Sequence, residues 1–314
     1  MMVLVTGGAG YIGSHLVRRL LGAGHEVRVL DRLDFGGSSL LGECDAPGFT
    51  LIKGDVTDRP LLRRAARGAH VIVHLAACVG FPACQRDPQD AVRSNVDGTK
   101  AVLEELGAGQ RLIFASTASV YGAAGPEQRD ETCPVSPLSL YARTKVEAED
   151  LVRAAGDQVI LRFATAFGVS TRMRFDLLPN DLVRIVLRHG RLELYEPEFR
   201  RCFIHVRDIA AALHHAIDNW GLVAGQTFNV SDPALNMTKL ELAEQIARLV
   251  PCKLEVGRRG HDSDERDYYL SSAKFSATGF RASSDMLGGL RSVMTAARLI
   301  EGTGYRRLAG ELTE

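Results

Sequence analysis

The residues best suited to chemistry fall into two short stretches. In "YARTK", Tyr141 and Lys145 stand four positions apart, so on a helix they share a face. A free tyrosine titrates near ~10 and is a poor base at neutral pH. A nearby positive charge favours the phenolate and lowers that pKa. Such a phenol can take the proton of a substrate alcohol while hydride leaves the same carbon. Ordinary amphipathic helices also carry Tyr and Lys at this spacing, so the pair gains meaning only from its surroundings. The second stretch, "STASVYG" at 116–122, follows the apolar run "RLIFA" and carries the hydroxyls of Ser116, Thr117 and Ser119 and the phenol of Tyr121. Tyr121 lies outside the helix that supplies a lysine at the right spacing, and is therefore not expected to be the reacting phenol.

A third stretch supplies the context. "TGGAGYIG" (6–13) places Gly7, Gly10 and Gly13 between an apolar run and an amphipathic one. Glycine permits a tight turn and close approach of backbone to a pyrophosphate, and the helix N-terminus then offers unpaired N–H groups to the phosphates. Asp31 lies 18 residues beyond Gly13, at the end of the next apolar run. A carboxylate there accepts hydrogen bonds from an adenosine ribose and repels a 2′-phosphate, which favours NAD over NADP. Arg32, its neighbour, works against that preference.

These stretches need elements to hold them. "MVLVT", "HEVRVLD", "FTLIKGD", "HVIVHLAA", "RLIFAS" and "QVILRFA" read as strands. Helices are expected after the glycine turn, over "RPLLRRAARG", from about 90 to 106, and over "SLYARTKVEAEDLVRAAG", which Gly156 ends. Continuous apolar strands alternating with helices imply a Rossmann-like, doubly wound parallel sheet covered on both faces. In such a sheet ligands sit at the carboxyl ends of the strands, where "STASVYG" falls. After about Gly168 the rhythm changes. The expected division is 1–168 plus about 203–231 for the dinucleotide-binding part, and about 169–202 plus 232–314 for a smaller α/β substrate part.

Composition sets bounds. The chain has 314 residues, 46% of them apolar and 24% charged, with a formal net charge of zero and no Lys/Arg block. That argues against a nucleic-acid or membrane surface. No stretch approaches the roughly 20 apolar residues of a membrane span, and no signal peptide is evident. The six cysteines show no C-x-x-C pair or zinc-ligand spacing, so no metal is expected. Their scatter fits reduced, mostly buried thiols of a cytoplasmic protein.

Taken in order, "TGGAGYIG", "GDVTD", "HLAA", "NVDGT", "STASVYG", "YARTK" and "RCFIHVRD" resemble the extended short-chain dehydrogenase/reductases, and among them the NAD-dependent epimerase/dehydratase group acting on nucleotide sugars. The resemblance spans nearly the whole chain. It implies that Gly7, Gly10, Tyr11, Ile12, Gly13 and Asp31 hold NAD, that Asp55 and Val56 flank the adenine, and that Ala76 and Ala77 line the nicotinamide side. It implies Tyr141 as general base and acid, Thr117 as the hydroxyl sharing the substrate oxygen, and Lys145 on the nicotinamide ribose. Asn95 matches a helix asparagine with a structural role. Arg201 and Arg266 match arginines at the sugar-nucleotide diphosphate, and Arg172, Arg174 and Asn180 fall in the stretch that contacts nucleotide and sugar. A homodimer through two helices per subunit, with Val92, Val96, Val102 and Val146 as its apolar positions, is a further implication.

The departures inform the reaction. Dehydratases of the group carry Asp and Glu after the catalytic threonine; here stand Ala118 and Ser119. Where members often carry Asn after "RF", this chain has Thr165 in "RFATAFG". Cys78 and Cys84 fall near the expected sugar pocket and read as buried structural cysteines. The expectation is an NAD-dependent epimerase of a nucleotide-diphosphate sugar. Net oxidation or reduction of such a sugar by the same residues is the alternative. A non-catalytic NAD-binding regulator or an enzyme of a non-sugar alcohol is less favoured by the Tyr–Lys pair and the arginines.

Overall fold

The computed structural model describes residues 1–123, 125, 127–257 and 266–301. The expected end of the substrate part, 302–314, lies outside them. Seven parallel strands form the central sheet: β1 (Met2–Thr6), β2 (Glu26–Asp31), β3 (Phe49–Lys53), β4 (Val71–His74), β5 (Arg111–Thr117), then, beyond the short β6 (Gln128–Arg129), β7 (Val159–Phe163) and finally Thr227–Val230. From one edge their order is Thr227–Val230, β7, β5, β4, β1, β2, β3. The direction of winding reverses between β1 and β4, and the crevice of such a sheet opens at the carboxyl ends there.

The strands are apolar on both faces because both faces are covered. Val3, Val5, Val71, Val73 and Ile113 point into one cluster with α1 (Gly13–Gly22). Leu4, Ile72, Leu112, Phe114 and Ile160 point into the other, with α2 (Arg59–Ala66) and Ala148 and Val152 of the helix Leu140–Ala154. This two-residue alternation of fully buried side chains is what a doubly wound sheet requires.

Two features depart from the simple reading. The helix expected from about 90 to 106 runs as Pro88–Val92, a π-helical turn at Arg93–Asp97, and Gly98–Glu104. The Thr99 hydroxyl donates to the Asn95 carbonyl at 2.6 Å inside this turn. A Cβ at Gly98 would lie 2.8 Å from Val56. Local widening of this kind re-aims side chains, here Asn95. The apolar positions expected at a dimer face divide, and Val146 is half-buried. Val102 and Val96 are buried, and Val92 is exposed.

The second half forms its own core around Phe167, Leu182, Val186, Phe203, Leu242 and Leu290. Paired short strands knit it together: Thr165–Phe167 with Phe203–His205, Arg191–Leu194 with Lys253–Val256, and Arg200–Arg201 with Met237–Thr238. The chain then re-enters the main sheet through the helix Val206–Asp218 and the strand Thr227–Val230. Among the described residues no helix is long and apolar enough to cross a membrane.

Candidate active site

The glycine turn leaves β1 at the switch point. Gly7 has φ +72, and a Cβ there would lie 2.7 Å from the Ala76 nitrogen, so no other residue fits without moving backbone. A Cβ on Gly13 would meet the Gly7 carbonyl at 2.3 Å. Gly10 differs: an added Cβ would meet one atom, the Gly7 oxygen at 3.1 Å. The face of Gly10 is thus open to a ligand, whereas Gly7 and Gly13 are closed by the protein itself. No side chain of the described residues caps α1, so its first turn keeps N–H groups for an anion. The Tyr11 side chain turns away from this surface. It is buried, its hydroxyl donates to the Gly168 carbonyl at 2.7 Å, and burial raises its pKa. Tyr11 therefore faces the turn with its main chain alone. Ile12, half-buried, precedes the helix.

Asp31 closes the next strand. Its carboxylate accepts the Ala9 N–H at 2.9 Å and the Leu33 N–H at 2.8 Å, so it is aimed at the turn. Arg32 is engaged elsewhere: its guanidinium grips Asp90 at 2.8 and 3.2 Å and Asp34 at 2.8 Å. Asp55 accepts from the Thr57 N–H and hydroxyl and from Arg93. Burial pushes this carboxyl up, but those donors outweigh it and hold its pKa below the ordinary value. Val56 is buried beside it. Ala76 and Ala77 follow β4, and the Ala76 N–H is 3.3 Å from the Thr6 hydroxyl.

Tyr141 and Lys145 lie on the helix Leu140–Ala154, which Ser139 caps by accepting the Ala142 N–H. Lys145 is buried, with Nζ 4.2 Å from the centre of the Phe114 ring. Burial drives its pKa down to about 7, while Glu149 and Cys84 oppose the fall. Among the described residues no acceptor hydrogen-bonds this ammonium. Burial pushes the Tyr141 phenol up to about 12; Arg174, Thr117 and Arg266 pull it down, and Cys84 adds to the rise. The cations that act most strongly on the phenol are therefore the two arginines, a role the spacing argument had given to Lys145.

The substrate candidates divide. Arg266 Nη1 is 3.2 Å from Ser119 Oγ and 3.5 Å from Thr165 Oγ1, and Thr117 Oγ1 is 3.1 Å from Ser119 Oγ. Thr117, Ser119, Thr165, Arg174 and Arg266 thus converge around Tyr141. Arg174 also holds Asp176 through two contacts, at 3.1 and 2.5 Å. Arg172 stacks 3.7 Å over the Phe35 ring, and Asp31 and Asp176 act on its charge, which places it towards the β2 end of the crevice. Asn180 is a correction. Fully buried, it accepts the Gly168 N–H and donates to the Arg174 carbonyl, so its amide shapes the loop and does not face a substrate. Arg201 is buried, donates to the Arg200 carbonyl and lies over the Phe199 ring.

Several supporting residues were not singled out by the sequence reading. Glu149, on the same helix face as Lys145, is buried and bound by Arg162 at 2.7–3.2 Å and by the Ser116 hydroxyl at 2.5 Å. Arg162 also donates to the Tyr121 hydroxyl at 2.9 Å, which in turn faces Asn229 Oδ1 at 2.8 Å. Ser116 and Tyr121 are thus occupied beneath the cleft. Asn95 accepts the Cys78 N–H, and its amide donates to the Cys78 carbonyl and the Thr144 hydroxyl, as its expected structural role demands. An acid four residues after Lys145 on the same helix face was the available signal for Glu149; nothing in sequence announced Arg162.

The cysteines are less buried than expected. Cys84 and Cys202 are buried, Cys44 is exposed, and Cys78, Cys133 and Cys252 are intermediate. Remote from the cleft, His25, His214 and Asp218 bring one ligand atom each within 4.8 Å of one another. Arg19 donates to His214 Nδ1 there, which leaves Nε2 carrying the ring proton and unready for a metal.

A glycine turn at the switch point, an acid ending the second strand and a Tyr–Lys helix at the same edge define a Rossmann-type chain of the extended short-chain dehydrogenase/reductase class. The chain belongs to the NAD dependent epimerase/dehydratase family, whose model matches residues 3–231. It is 30% identical over 293 residues to dTDP-glucose 4,6-dehydratase of Streptomyces niveus, covering 86% of this chain and 84% of that one. It is 32% identical over 255 residues to UDP-glucose 4-epimerase of Erwinia amylovora, covering 72% and 76%. Its fold matches the Thermus thermophilus UDP-glucose 4-epimerase crystallised with NAD, with a TM-score of 0.81, 28% identity and coverage of 95% and 99%.

Proposed function

We propose that this chain is an NAD-dependent epimerase of a nucleotide-diphosphate sugar. The observation that carries the reading is the convergence of Thr117, Arg174 and Arg266 on the Tyr141 phenol, one helical turn from Lys145.

The residues present fit NAD. Gly10 offers an open face over the first turn of α1, Asp31 is fixed by two backbone donors with lone pairs to spare, and among the described residues no acceptor hydrogen-bonds the Lys145 ammonium. Gly10 and the main chain of Tyr11 and Ile12 would hold the pyrophosphate on a turn that Gly7 and Gly13 allow, Asp31 the ribose hydroxyls, Asp55 and Val56 the adenine, and Ala76, Ala77 and Lys145 the nicotinamide end. Arg32, committed to Asp90 and Asp34, is not positioned for a 2′-phosphate, which supports NAD over NADP. When bound, NAD⁺ would supply the hydride acceptor and a positive charge.

Tyr141 takes the proton of a sugar hydroxyl as that carbon is oxidised, and returns it when the carbon is reduced from its other face. Thr117 holds the same sugar oxygen. Arg174 and Arg266 stabilise negative charge on the phenol and suit the anionic sugar nucleotide, since a guanidinium presents a donor fork to phosphate oxygens. Arg172 and Arg201 are further candidates for the diphosphate. Ala118 and Ser119 offer no carboxylate for water elimination. That absence of carboxylates at 118 and 119 supports epimerisation over dehydration.

The test is Tyr141→Phe assayed against UDP- and dTDP-sugars, with products resolved by chromatography. Turnover is expected to fall by about 10²–10⁴, the range for losing a positioned acid–base, with NAD still bound. Unchanged turnover would remove the phenol from the mechanism.

A further inference from the structure

We propose that Cys78 and Cys84 are a reversible oxidation site at the edge of the catalytic cleft, which takes a low-molecular-weight disulfide as co-reactant and closes an intramolecular disulfide that disables the site. The two sulfurs lie 3.7 Å apart, and the Cys84 thiol is 3.4 Å from the Cys78 carbonyl. A disulfide bond is about 2.05 Å long, so closure asks for a further approach of roughly 1.7 Å. Among the described residues no other two cysteine sulfurs are in such contact. Gly80, with φ +93, lies between them and gives the connecting loop a conformation that side-chain-bearing residues rarely adopt.

The two thiols differ as an attacking and a resolving cysteine must. Cys78 is partly exposed and Cys84 is fully buried, so an incoming disulfide meets Cys78 first. The hydrogen bond from the Cys84 thiol lowers the Cys78 pKa, while the same bond and burial raise that of Cys84. In the first step the Cys78 thiolate attacks one sulfur of glutathione disulfide. Its S–S bond breaks, one glutathione thiolate leaves, and a mixed disulfide remains on Cys78. Cys84 then loses its proton and attacks the Cys78 sulfur, expelling the second glutathione thiolate. Two protein thiols are oxidised by two electrons, and one glutathione disulfide is reduced to two thiols.

The bond reaches the chemistry through its neighbours. Asn95 holds both the N–H and the carbonyl of Cys78 and ties them to Thr144 on the Tyr141 helix. Cys84 acts electrostatically on both Tyr141 and Lys145. Arg174 Nη2 lies 3.3 Å from where a Gly80 Cβ would stand. Drawing the sulfurs together displaces backbone that frames all three groups.

The test treats the full chain with glutathione disulfide, alkylates it with iodoacetamide in denaturant and digests it with trypsin. Both cysteines fall on the peptide Gly68–Arg86. The expected peptide is unalkylated and lighter by the two thiol hydrogens. Turnover of sugar nucleotides falls by about 10²-fold, the scale of a 1 Å misplacement, and dithiothreitol restores both. Cys78→Ser should make turnover insensitive to the oxidant, and Cys84→Ser, which can only stop at the mixed disulfide on Cys78, should yield no closed peptide. A doubly alkylated peptide, an end state at the mixed disulfide, or a closed disulfide with unchanged turnover would each overturn the proposal. The mass readout needs no substrate, so a chain inert to every sugar nucleotide contradicts the epimerase reading and leaves disulfide closure decided by the peptide alone.

Discussion

At the scale of single residues, the Tyr–Lys spacing pointed to the candidate phenol but not to what tunes it. Arg174 and Arg266 reach Tyr141 from segments far along the chain, and contacts of that kind have no periodicity to betray them. Tyr11 and Asn180 show the converse. Each sits in a segment that matches a binding motif, yet each spends its side chain on the protein: Tyr11 on Gly168, and Asn180 on Gly168 and the Arg174 backbone. Motif position tells where a residue lies, while its partners decide which way it turns. Asp31 was legible because a strand end and a glycine turn fix a carboxylate between them. Asp31→Asn is expected to lose about 1.5–3 kcal/mol of NAD binding, the worth of hydrogen bonds to a charged group, and to narrow the discrimination against NADP. Fluorescence titration with both dinucleotides reads this, and an unchanged preference would contradict the assignment.

At the scale of elements, the helix Leu140–Ala154 carries Tyr141 and Lys145 above and Glu149 below. The Glu149–Arg162 pair is buried, and breaking such a pair leaves an uncompensated charge. Arg162→Met is expected to cost about 3–5 kcal/mol in urea unfolding; a loss under about 1 kcal/mol would show that the pair is not structural. Lys145 sets a pH dependence. Its pKa is about 7 when folded, against ~10.4 when unfolded, so between these values the unfolded chain binds more protons. Stability of the cofactor-free protein therefore rises with pH across that window and is lost as pH falls towards 7. Between pH 7 and 9 the gain is on the order of 2 kcal/mol. Lys145→Met should flatten this part of the curve, and equal slopes in both proteins would contradict it. The strands and helices themselves were readable because fully apolar runs alternate with amphipathic ones. The π-helical turn at Arg93–Asp97 was not, since it answers to Val56 and Asn95 contacts made across the fold.

At the scale of the whole molecule, the parallel sheet was legible from the sequence, and the way the second half grips the glycine turn was not. Ser14 and the Tyr11 carbonyl meet Ser170, and His15 meets the Val169 carbonyl at 2.8 Å. These hydrogen bonds join residues distant in sequence, so the turn that is read as a cofactor site is also where the later part of the chain is anchored. Short strands of two or three residues, such as Gln128–Arg129 with Tyr269–Leu270, also lie below what alternation can reveal. Holding sugar and dinucleotide together in one cleft is what a reaction that removes and restores the same hydride requires. The direct measurement is to mix the protein and its bound NAD with UDP- and dTDP-sugars, follow the absorbance of reduced cofactor, and resolve the sugar products by NMR. A second epimer formed with no net change in reduced cofactor is the predicted result. Reduced cofactor accumulating or vanishing in step with the sugar would contradict the account.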